Sequence, residues 1–190
     1  MKTEKKVLLV DMDHVIADLT SQYIKYYKEA TGIEMRRNDL LGKPEDEAFP
    51  ASKLIRSFLR TPGMFRNAAV IKDSQCILQE LNELFDLYIV SAAMKFPQSL
   101  IEKYEWLREH FPFIKWTQII FCGSKKNISG DYMIDDHLKN LDNFNGVKLL
   151  FTATHNTNIS SKKYTRVNGW DDVKQLLIEQ NEWKIIDRLC

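Results

Sequence analysis

The chain is punctuated by short runs of apolar residues, each bounded by polar or turn-forming residues and none long enough to span a bilayer. Val7–Val10 is the plainest, and similar runs stand at 87–90, 119–122, 132–134 and 147–151. Runs of this length, rich in Val, Ile and Leu, suit strands buried on both faces, the habit of a parallel sheet. Between them the period changes to that of a helix. Ile77, Leu78, Leu81 and Leu84 recur at three-and-four spacing within 73–85, and 98–111 behaves similarly, with Pro97 placed to begin it. Strands alternating with helices imply right-handed βαβ units. A last helix over 171–189, carrying Val173, Leu176, Leu177, Trp183 and Ile186 on its apolar positions, is expected against one face of the sheet.

The interval 18–69 breaks this rhythm. It offers helical segments at 21–30, stopped by Gly32, and 52–60, stopped by Pro62-Gly63, but no comparable buried run. It reads as a small helical cap inserted after the first strand, with 41–50 as a flexible connection inside it. Residues 1–17 and 70–190 then form the core. A chain of 190 residues accommodates one domain with such an insertion and buries about 70% of its unfolded surface.

The residues that follow the apolar runs carry the chemistry. Asp11 and Asp13 follow the first, Ser91 the second, Ser124 and Lys125 the third, and Asp135 and Asp136 close the fourth. In an open parallel sheet the ligand crevice lies outside the carboxyl ends of the strands, so these segments converge. Carboxylates brought together repel one another unless protons or a cation neutralise them. Magnesium suits such a cluster, because it takes oxygen ligands from one or two carboxylates, phosphate and water. Asp11, Asp136 and the backbone carbonyl of Asp13 are the candidate ligands. Lys125 as a point charge and Ser91 as a donor fit phosphoryl oxygens. An aspartate can then act as nucleophile and form an aspartyl phosphate. In extended chain residues i and i+2 share a face, so Asp13 can reach the oxygen that Asp11 displaces, protonating it and later taking a proton from water.

The segments "DMDHVIAD", Ser91, Lys125 and "YMIDDH" resemble the four motifs of the haloacid dehalogenase-like superfamily. With "PGMFRN" at Pro62, "EKYEWLREHF" at Glu102 and "GDYMIDDH" at Gly130, the chain resembles more narrowly the 5′(3′)-deoxyribonucleotidase family. The resemblance implies an α/β three-layer Rossmannoid fold with a central parallel sheet and a helical cap. It implies a Mg²⁺-dependent phosphatase of deoxyribonucleoside monophosphates, working as a homodimer. By position, Asp11 would be the nucleophile and Asp13 the general acid and base. Asp136 would be the metal carboxylate with Asp135 beside it, Lys125 would hold the phosphoryl group and the nucleophile, and Ser91 the phosphate. Phe49, Met64 and Phe65 would line the nucleoside pocket or form the core of the cap.

Departures from the family pattern stand at His14, where Gly is usual, at Ser91-Ala92-Ala93, where Thr-Ser-Pro is frequent, and at Leu19, where an aromatic often follows the equivalent of Asp18. A side chain at His14 restricts the backbone beside the site. Leucine at 19 cannot stack on a base as an aromatic would. Asp18 itself suits a helix N-cap. An all-oxygen metal site needs neither His14 nor His137, and His110 and His155 read as ordinary surface or satisfied side chains. Asp13 separates a phosphatase from a dehalogenase, since an alkoxide leaving group needs a proton and halide does not.

Lys and Arg (27) nearly cancel Asp and Glu (26), which argues against a polynucleotide partner and leaves a small phosphomonoester as substrate. Arg36-Arg37 and Lys162-Lys163 read as solvated surface. Cys76, Cys122 and Cys190 lack the spacing of a zinc site or disulfide framework, and the apolar run after MKTEKK is too short for a signal peptide. The reading is a cytoplasmic enzyme without membrane attachment. Two alternatives stand beside it: a phosphatase for another small phosphoester, and a non-catalytic nucleotide-binding protein, for which Asp13 has no use.

Overall fold

The computed structural model describes residues 4–179. The first strand, β1 (Val7–Val10), leads into β2 (Ala17–Asp18), α1 (Leu19–Thr31), α2 (Glu45–Ala48) and α3 (Ser52–Phe58), and the chain returns through β3 (Ala69–Val70). There follow α4 (Ser74–Leu84), β4 (Asp86–Ser91), α5 (Ser99–His110), β5 (Ile119–Phe121), β6 (Tyr132–Asp135), α6 (Leu138–Leu141), β7 (Val147–Phe151), β8 (Thr165–Val167) and α7 (Trp170–Lys174). The helix α7 continues as a π-helical turn over Gln175–Glu179. The outer part of the expected last helix, with Trp183 and Ile186, lies outside the described residues.

Six strands form one sheet in the order β5-β4-β1-β6-β7-β8, and every pairing is parallel. The expected α/β architecture with a central parallel sheet is present. Strands β1, β4, β5, β6 and β7 alternate their apolar side chains between two cores, as the pleat requires. Leu8 and Val10 of β1 join Leu87, Ile89, Ile134 and Leu149 in the larger core, which α4, α5 and α7 cover with Leu78, Trp106 and Trp170. Leu9 turns the other way and meets Val90, Met133 and Leu150 under Leu141 of α6. Both faces of β1 are therefore dry, which is why its sequence shows a continuous run instead of alternation.

The strand β1 lies between β4 and β6, so successive connections leave it in opposite directions and open a crevice at its carboxyl end. Val10 stands opposite Ile89 and Ile134, and the Asp11 amide extends the ladder by donating to the Ile134 carbonyl at 2.9 Å. The acids after β1 thus emerge level with Ser91 and Asp135.

The segment between β2 and β3 is helical, and β2 and β3 pair antiparallel to gather its two ends. Asp18 caps α1, its Oδ1 accepting from the Ser21 amide at 3.1 Å, and Gly32 closes the helix in the left-handed conformation at φ 73°. Arg37 is no free surface cation, since its guanidinium donates to Asp18 Oδ2 at 2.5 Å. The stretch 41–50 differs from the expected flexible connection. Pro44 and three acids, Glu45, Asp46 and Glu47, start the short helix α2, and acids in a first turn suit the helix dipole.

The turn that follows Pro62 is pinned from two sides. The Glu102 carboxylate of α5 accepts from the Gly63 amide at 2.7 Å and from those of Phe65 and Arg66 at 3.1 Å each, while Gln22 of α1 donates to the Met64 carbonyl at 3.1 Å. Gly63, at φ 85°, takes the left-handed bend that lets these amides face one acid. Glu102→Ala is expected to destabilise the fold by about 2 kcal/mol or more, because charged acceptors lose more than neutral ones. Urea unfolding should show the loss as a lower midpoint at unchanged slope.

Candidate active site

Lys125 is the hub of the acidic cluster. Its ammonium is 2.6 Å from Asp11 Oδ1 and 2.7 Å from Asp135 Oδ2, and the residue is buried. Burial alone would lower its pKa, but the two carboxylates outweigh this and hold it charged. Asp11 shows the converse: burial would raise its carboxyl, yet Lys125 and the Met12 amide, which donates to Oδ1 at 2.7 Å, keep it below the usual range. Both of these bonds fall on Oδ1. Among the described residues Asp11 Oδ2 receives none, and Asp11 lines the crevice.

The two acids that close β6 are treated differently. Asp135 is fully bonded: it accepts from Lys125, from the His137 amide at 2.9 Å and from Asn140 at 3.0 Å on each oxygen. Asp136 is 1% exposed, and neither carboxylate oxygen has a hydrogen-bond partner among the described residues. Burial, with Asp11 and Asp135 as neighbours, pushes it well above the usual carboxylate range against the pull of His14. Asp13 Oδ1 is also buried without a partner. Orphaned buried oxygens of this kind ask for a cation. Asp11, Asp135 and Asp136 bring carboxylate oxygens within 4.8 Å of one another, an all-oxygen set that fits Mg²⁺.

A second buried lysine completes the site, and it was not among the residues singled out in the sequence. Lys103 of α5 donates to Asp13 Oδ2 at 2.5 Å and to Ser91 Oγ at 2.9 Å, and its ammonium lies 4.6 Å from the centre of the Phe65 ring. Its signal was available. Ser99, Lys103, Trp106 and Leu107 share the buried stripe of α5, and a lysine on an apolar stripe needs a partner. Asp11, Asp13, Ser91, Lys125 and Asp136 all line one crevice, whose walls include Leu19, Tyr23, Phe65 and Phe96. Phe49 and Met64 do not reach it. Phe49 packs 5.0 Å from Tyr27, ring centre to ring centre, and Met64 has no exposed surface, so both serve the core of the helical segment. Only Phe65 of the three faces the crevice.

The histidines also differ from expectation. His14 adopts φ 59°, a left-handed conformation that costs a non-glycine residue about 1–2 kcal/mol. Its buried ring lies 2.7 Å from Glu45 Oε1, and its Nδ1 is 3.3 Å from Thr20 Oγ1. Burial opposes charge on this ring, but Glu45 and then Asp136 and Asp13 raise it to about 9. His155 is no ordinary surface residue: its Nε2 is 3.2 Å from the Asp136 carbonyl oxygen and 3.3 Å from Asp136 Oδ2. The position after β7 obeys the same strand-end rule as the acids. Glu45 has no such signal, because only the folded segment brings it to the core.

The family model described as 5′ nucleotidase, deoxy (pyrimidine), cytosolic type C protein matches residues 5–182. The chain belongs to the 5′(3′)-deoxyribonucleotidase family. A Bacillus subtilis protein named 5′(3′)-deoxyribonucleotidase is 36% identical to this family member over 174 residues, 92% of this chain and 99% of that one. A Staphylococcus epidermidis protein assigned provisionally to the same activity is 40% identical over 168 residues, 88% of this chain and 93% of its own. Among solved structures, a haloacid dehalogenase-like hydrolase from Streptococcus pneumoniae superposes with a TM-score of 0.59 at 13% identity, covering 90% of this chain and 98% of that one. The haloacid dehalogenase-like hydrolase YfnB from Bacillus subtilis, determined with magnesium bound, gives 0.58 at 16% identity, covering 92% and 99%. These two establish the fold, and family membership makes the protein a phosphatase. Among the described residues no helix is long and apolar enough to cross a membrane.

Proposed function

We propose that the protein is a Mg²⁺-dependent phosphomonoesterase that removes phosphate from deoxyribonucleoside 5′- or 3′-monophosphates through an aspartyl phosphate on Asp11. The observation that carries this reading is the asymmetry of Asp11, whose Oδ1 is anchored by Lys125 and the Met12 amide while Oδ2 is left for attack. Asp11, Asp136 and the Asp13 backbone carbonyl would hold the ion, with Asp135 orienting Lys125 from beside it. When bound, Mg²⁺ neutralises the acids and the phosphoryl oxygens and so removes the repulsion between nucleophile and substrate.

Asp11 attacks phosphorus, the P–O bond to the nucleoside breaks, and Asp13 donates its proton to the departing alkoxide. Asp13 then takes a proton from water as that water cleaves the acyl phosphate, returning Asp11 as a carboxylate. Lys125 and Lys103 balance the charge that accumulates on the phosphoryl oxygens, and Ser91 offers its hydroxyl to one of them. The helical segment 18–69 acts as a cap that excludes bulk water during the transfer. Phe65 and Phe96, which also line the crevice, supply the rings that Leu19 does not.

Lys103→Met keeps the buried stem but leaves Asp13 Oδ2 and Ser91 Oγ without their donor. It is expected to lower kcat/KM about 10²-fold or more, as loss of one charged donor in a closed site does. Steady-state kinetics on the folded variant check this.

The reading is tested by phosphate release with Mg²⁺ across deoxyribonucleotides, ribonucleotides, sugar phosphates and an aryl phosphate. Preference for deoxyribonucleoside monophosphates supports it, and release only from other esters discards the nucleotide substrate. Leu19, buried at the crevice wall, favours that second reading as a phosphatase of another small phosphoester.

A further inference from the structure

His14 in the turn after β1, Glu45 in α2 and His155 in the loop after β7 bring their ligand-type atoms within 4.8 Å of one another. The hydrogen bonding of the rings decides what faces the carboxylate. The Asp136 backbone oxygen can only accept, so His155 Nε2, 3.2 Å away, carries the hydrogen of that contact. In the neutral ring Nδ1 is then a bare lone pair. It lies 3.5 Å from Glu45 Oε1, buried and without a hydrogen-bond partner, in a side chain only 9% exposed. Glu45 Oε1 is buried too, and stands 2.7 Å from His14 Nε2. His14 Nδ1 is engaged by Thr20 Oγ1, which leaves Nε2 as the nitrogen turned to Glu45. His155 Nδ1 and Glu45 Oε1 turn electron pairs to the space among these three atoms, and His14 Nε2, which carries a proton beside Glu45, does so once that proton has left.

We propose that His14 Nε2, the Glu45 carboxylate and His155 Nδ1 form a binding site for a zinc-like transition-metal dication, separate from the all-oxygen site of Asp11 and Asp136. Two imidazoles and one carboxylate are a zinc donor set, and imidazole discriminates against magnesium. Bonds of about 2.1 Å in tetrahedral array put ligand atoms about 3.4 Å apart, so Glu45 draws back slightly from His14 to admit the ion. Where His14 is protonated, the ion displaces that proton to solvent. The contacts to Thr20 and the Asp136 carbonyl orient the rings from outside, as the outer partners of metal-binding histidines do. Glu45 belongs to the helical segment 18–69 and both histidines to the core, so the ion cross-links the two and holds the segment closed. That last consequence rests on the cap reading above, whereas the binding itself does not.

The test equilibrates the full-length protein with micromolar zinc chloride in excess magnesium chloride, removes free metal by gel filtration and counts zinc by mass spectrometry. One zinc per chain is expected in the native protein, in Asp136→Asn and in His137→Ala, with loss of zinc in Glu45→Gln and in His155→Ala. Circular dichroism confirms that each variant is folded. Absence of zinc from the native protein overturns the proposal, as does retention in both Glu45→Gln and His155→Ala. Loss in Asp136→Asn with retention in Glu45→Gln also overturns it, by placing the ion among the phosphoryl-site acids. Because the count reads binding and not turnover, its failure leaves the phosphatase reading intact.

Discussion

Asp11→Asn is expected to lower phosphate release from a deoxyribonucleoside monophosphate about 10⁴-fold or more, the scale on which loss of a covalent nucleophile acts. The substitution keeps the shape of the side chain and one oxygen to accept from Met12, and Lys125 keeps Asp135 at 2.7 Å, so the fold should survive. What disappears is the anionic oxygen proposed to attack phosphorus. Asp13→Asn should behave differently. Its loss is expected to be about 10²–10⁴-fold with a nucleotide, whose alkoxide leaves only with a proton, and much smaller with an aryl phosphate, whose phenoxide leaves unaided. Steady-state rates for the two variants on the two substrates check both statements. A substrate-dependent deficit in Asp11→Asn, or a uniform one in Asp13→Asn, would exchange the roles.

The second large effect concerns Asp136. Chelation of the native enzyme with EDTA is expected to reduce turnover at least about 10³-fold, reversed by Mg²⁺, since the phosphoryl charge and the clustered acids then face each other without a counter-charge. Asp136→Asn should lose activity to a similar degree even in saturating Mg²⁺. Its effect on stability has the opposite sign. In EDTA the native chain carries a carboxylate 1% exposed with neither oxygen bonded, and replacing it with a neutral amide relieves about 1–2 kcal/mol. In Mg²⁺ the native protein gains stability by mass action and the variant does not. Thermal melts in the two buffers should therefore change order: the variant melts higher in EDTA and the native protein melts higher in Mg²⁺.

The strands that matter most were legible because burial on both faces leaves an unbroken apolar run, and the acids that close such runs fall at the switch point of a parallel sheet. Asp11, Asp13, Ser91, Lys125 and Asp136 stand out in the sequence on that ground and line one crevice in the fold, with Asp135 against Lys125. No such run marks β8, whose Thr165, Arg166 and Val167 form a short edge strand with a charged residue at its centre. Nor does one mark β2 and β3, two residues each. Lys103 was passed over because a lysine in a helix is usually solvated, and only its place on the buried stripe of α5 marked it. Glu45 carried no local mark at all, since its role arises from a contact between segments distant in sequence. For Phe49 and Met64 the resemblance left two places open, the pocket or the core of the helical segment, and a small segment must fill its own interior first, which is where both lie.

Phosphorylation of Asp11 is the step on which the proposed mechanism turns. It is tested most directly by quenching a Mg²⁺-supported reaction on a deoxyribonucleoside monophosphate in acid, reducing the protein with borohydride and sequencing its peptides by mass spectrometry. Reduction of an aspartyl phosphate yields homoserine, so homoserine is expected at position 11, dependent on both substrate and Mg²⁺. An unmodified Asp11 in an enzyme that is turning over, or homoserine at Asp13 or Asp136 instead, would contradict it.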